Sequence, residues 1–80
     1  MALSNGDELQ LGNGSWSIVA NMTSGTATLQ MSVDGGPFFD IDNTTFSATN
    51  GGNIKVPECT VKAVVTGDAT WSISRVIEGN

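Results

Sequence analysis

The stretch that decides the fold is Ala27-Thr28-Leu29-Gln30-Met31-Ser32-Val33-Asp34, in which every odd position is apolar and every even position is polar. Side chains of a β-strand point alternately to its two faces, so this period of two predicts a strand with one face in a core and the other in solvent. The next residue is Gly35, and an Asp-Gly pair is a common hairpin turn because glycine accepts the positive φ of a tight turn. The segment therefore predicts a strand followed by a hairpin.

Similar alternations recur along the chain, separated by clusters of Gly, Asn, Asp and Ser. Three of them predict strands clearly, over residues 16–20, 60–65 and 71–77. Four weaker patterns predict strands over residues 7–11, 38–41, 45–48 and 53–56, and the glycine-rich residues 49–53 predict a turn. No stretch of ten residues shows a helical stripe. The sequence thus predicts an all-β fold, a small antiparallel β-sandwich or barrel of about seven to eight short strands with no helix of note.

One domain accounts for the whole chain of 80 residues. Residues 8–78 are predicted to form this single β-sandwich domain. Residues 1–7 are short and polar and contain Gly6, so they are predicted to form a flexible N-terminal arm that becomes ordered against a neighbour. Leu3 is the only large apolar residue of the arm after the initiator and is expected to make that contact.

Composition indicates a component of an assembly. A domain this small usually needs a disulfide, a metal or a partner for stability. The chain has a single cysteine and no histidine, so it forms no intrachain disulfide and a closed zinc site is excluded. We therefore expect a homo-oligomer.

The charge balance argues against two classes of partner. The net charge is −5, and Lys55, Lys62 and Arg75 are the only cations, too few for a nucleic-acid track. No apolar run approaches the roughly 20 residues that span a bilayer, so no membrane partner is expected. The start of the chain lacks the basic and apolar regions of a secretory signal, so synthesis in a cytoplasm is expected.

Reactive residues are few, and no enzyme activity, cofactor or metal is predicted. Cys59 is the only plausible nucleophile, but no histidine can activate it and Glu58 would raise its pKa, so a small buried residue at the start of a strand is the preferred interpretation. Asp34, Asp40 and Asp42 could collect oxygen ligands for calcium, although an acidic loop is common in an acidic protein. No catalytic, cofactor-binding or metal-binding residue is therefore assigned.

Strand phase yields candidate interface residues. Phe38 and Phe39 are consecutive, so they must point to opposite faces of a strand. Phe39 is in phase with Ile41 and is expected to face the core, which leaves Phe38 outside. The same logic places Trp16 and Trp71 inside the core, although a flat platform for stacking a sugar remains the alternative for these two residues. The candidate interface residues are Leu3, Val19, Phe38, Val64 and Val76.

The sequence contains one pair of similar segments. The segment Ser24-Gly25-Thr26-Ala27-Thr28-Leu29 lines up with Thr66-Gly67-Asp68-Ala69-Thr70-Trp71. Two interpretations are open: a duplicated half-sandwich, or the same connection from a turn into a strand arising twice in a chain rich in Ser, Thr and Gly.

The order of three motifs carries a resemblance. Residues 25–38 give a strand, an Asp-Gly turn and an aromatic residue; Phe46-Ser-Ala-Thr-Asn-Gly-Gly-Asn-Ile-Lys-Val-Pro57 follows, and then Cys59-Thr-Val-Lys-Ala-Val-Val-Thr-Gly67. Over roughly residues 6–77 this order resembles small β-sandwich structural proteins of tailed bacteriophages, namely capsid decoration (cement) and fibre-like components. The resemblance implies a virion protein, usually a homotrimer, that is made in the host cytoplasm and binds the major capsid protein. It transfers no site residue, because the family has no catalytic signature.

Three functions remain open at this point. The first is a decoration protein that stabilises the capsid shell. The second is a tail or fibre component, or a receptor- or carbohydrate-binding module in which Trp71 or the hairpin over residues 34–38 meets a ligand. The third is an acidic inhibitor that mimics nucleic acid, although the carboxylates are spread along the chain rather than gathered in one stripe.

Overall fold

A computed structural model describes residues 2–76, which form eight strands in two antiparallel four-stranded sheets. The strands are β1 Ala2–Leu3, β2 Glu8–Leu11, β3 Gly14–Asn21, β4 Ala27–Ser32, β5 Phe39–Asp40, β6 Asn50–Val56, β7 Cys59–Val65 and β8 Thr70–Arg75. Sheet A has the order β1-β8-β3-β6 and sheet B the order β2-β7-β4-β5. The described residues contain no helix. The prediction of a small all-β sandwich is confirmed.

The core lies between the two sheets and is centred on Trp71. This side chain is fully buried, and its ring lies 5.7 Å from that of Phe46, centre to centre. Its indole N–H donates a hydrogen bond of 3.0 Å to the carbonyl oxygen of Thr28. Because Trp71 belongs to sheet A and Thr28 to sheet B, this bond joins the two layers.

The alternation of the four clear strands is confirmed. Most of their inward positions are buried, namely Ile18, Ala20, Ala27, Leu29, Val61, Ala63, Val65, Trp71 and Ile73. The inward Trp16 and Met31 are half-buried, and Ser32, predicted to face solvent, is buried. Val19 and Val64, both predicted to point outward, are 39% and 36% exposed. A period of two therefore sets the faces correctly along most of these strands, and the end of β4 is the exception.

Two segments of the middle of the chain differ from the prediction. Residues 50–53, predicted as part of a turn, belong to β6, where Gly51 pairs with Val19 and Gly52 with Ile18. The long β3 offers a continuous edge, and pairing along it overrides the local preference of glycine for turns. The strand predicted over residues 45–48 is reduced to a single bridge between Phe46 and Ala27. The end of the strand predicted to reach residue 77 lies outside the described residues.

The N-terminal segment is packed in place of the loose arm that the sequence predicts. Leu3 pairs with Trp71 at the edge of sheet A and is 3% exposed. The amide of Gly6 then donates to the carbonyl oxygen of Ala63 in sheet B at 2.8 Å, and the amide of Val65 donates to Asn5 Oδ1 at 3.0 Å. Residues 2–7 thus cross from one sheet to the other, so the expectation that Leu3 is free for a neighbour is wrong.

Candidate functional site

The outer face of sheet A carries no carboxylate among the described residues. Its centre is Val19, which pairs with Ser72 on one side and Gly51 on the other. The side chains around it are short and polar: Ser15, Ser17, Asn21, Asn53, Thr70, Ser72 and Ser74. The hydroxyl of Ser17 donates to Asn53 Oδ1 at 2.8 Å. Although the chain has eight acidic residues, the one charge on this face is Lys55.

The outer face of sheet B is different, because charged and aromatic side chains cover it. The Lys62 ammonium lies 4.1 Å from the centre of the Phe38 ring, a cation–π contact that leaves Phe38 half-buried. Gln30 Nε2 donates to Asp40 Oδ1 at 2.9 Å. Val64 is the apolar residue exposed on this face.

A cleft of about 800 Å³ opens between the edge strands β5 and β6. We call it the open cleft. Its apolar wall consists of Ile18, Met31, Ile41, Phe46 and Ile54. Phe39, Asp40 and Asp42 also line it, and so does Lys55 from the opposite strand. The volume falls in the range of ordinary ligand pockets, roughly 300–1,000 Å³.

The open cleft exists because a glycine stands where the facing layer needs a side chain. Phe39 pairs with Met31, so it points to the inner face of sheet B as predicted. It is nevertheless 51% exposed, and the expectation that it is buried in the core is wrong. Gly52, paired with Ile18 on the inner side of sheet A, has no side chain, and a Cβ built there would meet no atom within 4 Å. The inner layer is therefore incomplete at this point.

The five interface candidates do not come together in one patch. Leu3 is buried in the core, whereas Val19 and Val64 are exposed on the outer faces of different sheets. Phe38 is half-buried beside Lys62. Val76 is half-buried after the end of β8. Of the five, Val19 lies on the face without carboxylates.

Cys59 and the two tryptophans have structural environments. Cys59 is 3% exposed, and desolvation raises the pKa of its thiol, which confirms the interpretation as a buried residue at the start of a strand. The full burial of Trp71 is incompatible with a sugar platform or ligand contact at this residue. Trp16 is half-buried, its indole N–H donates to the carbonyl oxygen of Gly12 at 3.0 Å, and the Arg75 guanidinium lies 4.5 Å from its ring centre.

The three acidic residues considered for calcium are not gathered into a metal site. Within residues 2–76 no group of three or more His, Cys, Asp or Glu side chains is placed to hold a metal ion. Asp40 instead accepts the hydrogen bond from Gln30, and Asp34 adopts a positive φ of 55° in the turn after β4.

Asp68 fastens the loop before β4 to the loop before β8. It accepts hydrogen bonds from the Thr23 hydroxyl and from the amides of Thr23 and Ser24 at 2.9 and 3.1 Å. The Thr23 hydroxyl, followed by the two amides, lowers the pKa of the Asp68 carboxyl. The charged form is thus favoured in the folded protein.

This lowered pKa predicts a pH-dependent stability difference. A carboxyl with a depressed folded-state pKa stabilises the fold above its unfolded pKa of about 3.9, and this stabilisation disappears as the pH falls through the folded value. We expect Asp68→Asn to lower the melting temperature at pH 7, and the two melting curves to converge in more acidic buffer. A difference that stays constant from pH 7 to strongly acidic conditions would mean that the charge contributes nothing.

Comparisons with known proteins return no relative: no protein-family model, curated protein or solved structure matches this chain. In the part of the chain that the structure describes, no helix has the length and hydropathy of a membrane span.

Proposed function

We propose that this chain is a non-enzymatic virion structural protein, a decoration protein that binds and stabilises the shell built by a major capsid protein. The observation that carries the proposal is the outer face of sheet A, with Val19 at its centre and no carboxylate among its described residues. The resemblance of the motif order to phage β-sandwich proteins supports the same class and the same location in the virion.

The chemistry of this face suits a broad contact with another protein. Ser and Thr lose less rotamer freedom on burial than Lys, Arg, Gln or Glu. A carboxylate would have to be desolvated on docking, and burying an unpaired charge is costly. A decoration protein also acts in many copies, so a weak contact per copy suffices when several contacts act together.

The carboxylates with hydrogen-bond partners serve the fold and do not surround a common reaction centre. Asp7 accepts from the amide of Ser4 at 2.9 Å, Asp40 accepts from Gln30, and Asp68 holds two loops together. These roles support a structural protein, and the proposal includes neither a cofactor nor a nucleic-acid partner.

A charge placed on Val19 tests the docking face. We expect Val19→Glu to fold normally, because the side chain is already exposed, and to bind particles at least about tenfold more weakly, since a carboxylate then enters the interface. Val64→Glu is the matched control on the opposite sheet and should bind like the natural protein. Binding is measured by co-sedimentation with particles that lack the protein, and folding by thermal melting. If Val64→Glu binds weakly and Val19→Glu binds normally, sheet A is not the docking face.

Copy number in purified particles separates the proposal from its alternative. Hundreds of copies per particle support a decoration protein, and quantitative mass spectrometry measures this directly. A few to a few dozen copies would favour a tail or fibre component. Absence from the particle contradicts both.

A further inference from the structure

We propose that the free edge of β6 is an interface for a second copy of this chain, and that two copies form a two-fold dimer in which sheet A continues from one copy into the other. The inference goes beyond the proposed function and does not depend on any particle. It rests on the direction of the backbone groups of β6, on the missing side chain at Gly52 and on the charges around the open cleft.

The backbone of β6 presents unpaired groups along its outer edge. Among the described strands β6 pairs with β3 alone. Backbone groups of successive residues point to opposite sides of an antiparallel strand. The amide of Val76, which follows β8, donates to the carbonyl oxygen of Ser15 at 3.1 Å. The backbone groups of Ser15, and of every second residue of β3 counted from it, therefore point to β8. The backbone groups of the residues between them point to β6. The backbone groups of the alternate residues of β6, namely Gly51, Asn53 and Lys55, therefore point away from the sheet.

These outward groups are symmetric about Asn53. An antiparallel partner related by a two-fold axis at this residue places Asn53 opposite Asn53 of the second copy and Lys55 opposite Gly51 of the second copy. Asn53 and Lys55 of each copy can then donate their amides to carbonyl oxygens of the other. The amide of Gly51 is already bonded to Asn50 Oδ1 at 2.8 Å and is not needed for this ladder.

The same register fills the incomplete inner layer. It places Ile54 of the second copy directly opposite Gly52, and opposite residues of an antiparallel pair project to the same face with Cβ atoms about 5 Å apart. The Ile54 side chain then enters the space that Gly52 leaves open beside Ile18, on the side where Phe39 is half exposed. By symmetry, Ile54 of the first copy fills the same space beside Gly52 of the second copy.

The charges of the paired strands are compatible, although each copy carries a net charge of −5. Lys55 is the single charged residue of β6, and it stands opposite uncharged Gly51. Gly51 lines the same cleft as Asp40 and Asp42, so the pairing places Lys55 of the second copy opposite a residue of a cleft that carries two carboxylates. A two-fold contact closes with two copies, so the inference replaces the homotrimer implied by the sequence resemblance with a dimer.

A cysteine cross-link tests the axis. Residues in a hydrogen-bonded antiparallel pair have Cα atoms about 5.5 Å apart, a separation that a disulfide spans. We expect Asn53→Cys to form a disulfide-linked dimer under mild oxidation. The matched control Lys55→Cys should cross-link at least about tenfold more slowly, because its two copies lie four residues apart along the ladder, about 13 Å. The natural Cys59 is buried and does not contribute.

A proline at residue 53 tests the backbone contact without a covalent cross-link. Proline removes the outward amide of residue 53 while an edge strand tolerates it. We expect Asn53→Pro to raise the dimer dissociation constant at least about tenfold in sedimentation equilibrium, and Asn53→Ala, which keeps the amide, to leave it within about twofold.

Three results would overturn the inference. One is a natural protein that stays monomeric at high micromolar concentration, which would leave the edge of β6 to a strand of another protein. Another is equal cross-linking of the Asn53→Cys and Lys55→Cys variants. The last is an Asn53→Pro variant that folds by circular dichroism and dimerises like the natural protein; if that variant does not fold, the cross-linking pair decides alone.

Discussion

Replacing Trp71 with alanine is expected to remove at least about a quarter of the unfolding free energy of the protein. Removing a large buried aromatic side chain costs about 3–5 kcal/mol of unfolding free energy. A domain of this length has a total stability of about 4–12 kcal/mol. Trp71 is fully buried and joins the two sheets through its bond to Thr28, so Trp71→Ala removes packing and an inter-sheet hydrogen bond together.

Trp71→Phe separates these two contributions. The phenyl ring keeps most of the contact with Phe46, but it cannot donate to the carbonyl oxygen of Thr28, and the net loss of one hydrogen bond costs about 0.5–1.5 kcal/mol. Urea unfolding followed by circular dichroism measures both losses, provided that each variant retains a folded baseline. A Trp71→Ala variant as stable as Trp71→Phe would contradict the central place of this side chain in the core.

Local patterns predict the parts of the fold that local chemistry determines. The alternation of residues 27–34 correctly places Ala27 and Leu29 in the core, because the period of two is a property of any strand. The first half of β6 escapes prediction, because Gly51 and Gly52 favour turns by themselves and become extended only through pairing with β3. The strand β1 has two residues and shows no period, and its partner is far away in the sequence.

The candidate surfaces are predictable to a similar extent. Val19 and Val64 are exposed where their phase puts them. Phe39 has the predicted direction but not the predicted burial, because burial depends on what the opposite sheet supplies. That partner position holds Gly52, in the half of β6 that the sequence does not reveal, so the open cleft follows from packing between layers and not from either segment alone.

The two similar segments of the sequence contact each other in the structure, which their alignment alone does not show. The two matching turns lie against each other: the hydroxyls of Thr26 and Thr66 are 3.0 Å apart, and the amide of Thr66 donates to the carbonyl oxygen of Thr26 at 2.9 Å. The glycines of the two turns, Gly25 and Gly67, have positive φ values of 105° and 66°. The two turns thus pack directly against each other.

This close approach predicts that Gly25→Ala destabilises the fold by about 3 kcal/mol or more, because it combines a backbone clash with a disfavoured φ. A Cβ at residue 25 would lie 2.1 Å from the carbonyl oxygen of Thr66, and backbone atoms cannot move aside as the end of a side chain can. Separating the turns to relieve the clash would break the bonds between Thr26 and Thr66.

Gly35→Ala is the control that isolates the cost of φ from the cost of the clash. Gly35 also has a positive φ, 73°, but a Cβ there meets no atom within 4 Å. Its replacement should therefore cost only about 1–2 kcal/mol, the penalty of a left-handed conformation for an L-residue. Thermal melting of the two variants measures the difference. Equal losses of stability would show that the two turns can separate without cost, in which case their contact does not hold the sheets in register. A larger loss for Gly25→Ala means that this end of the sandwich depends on the contact between the two glycines.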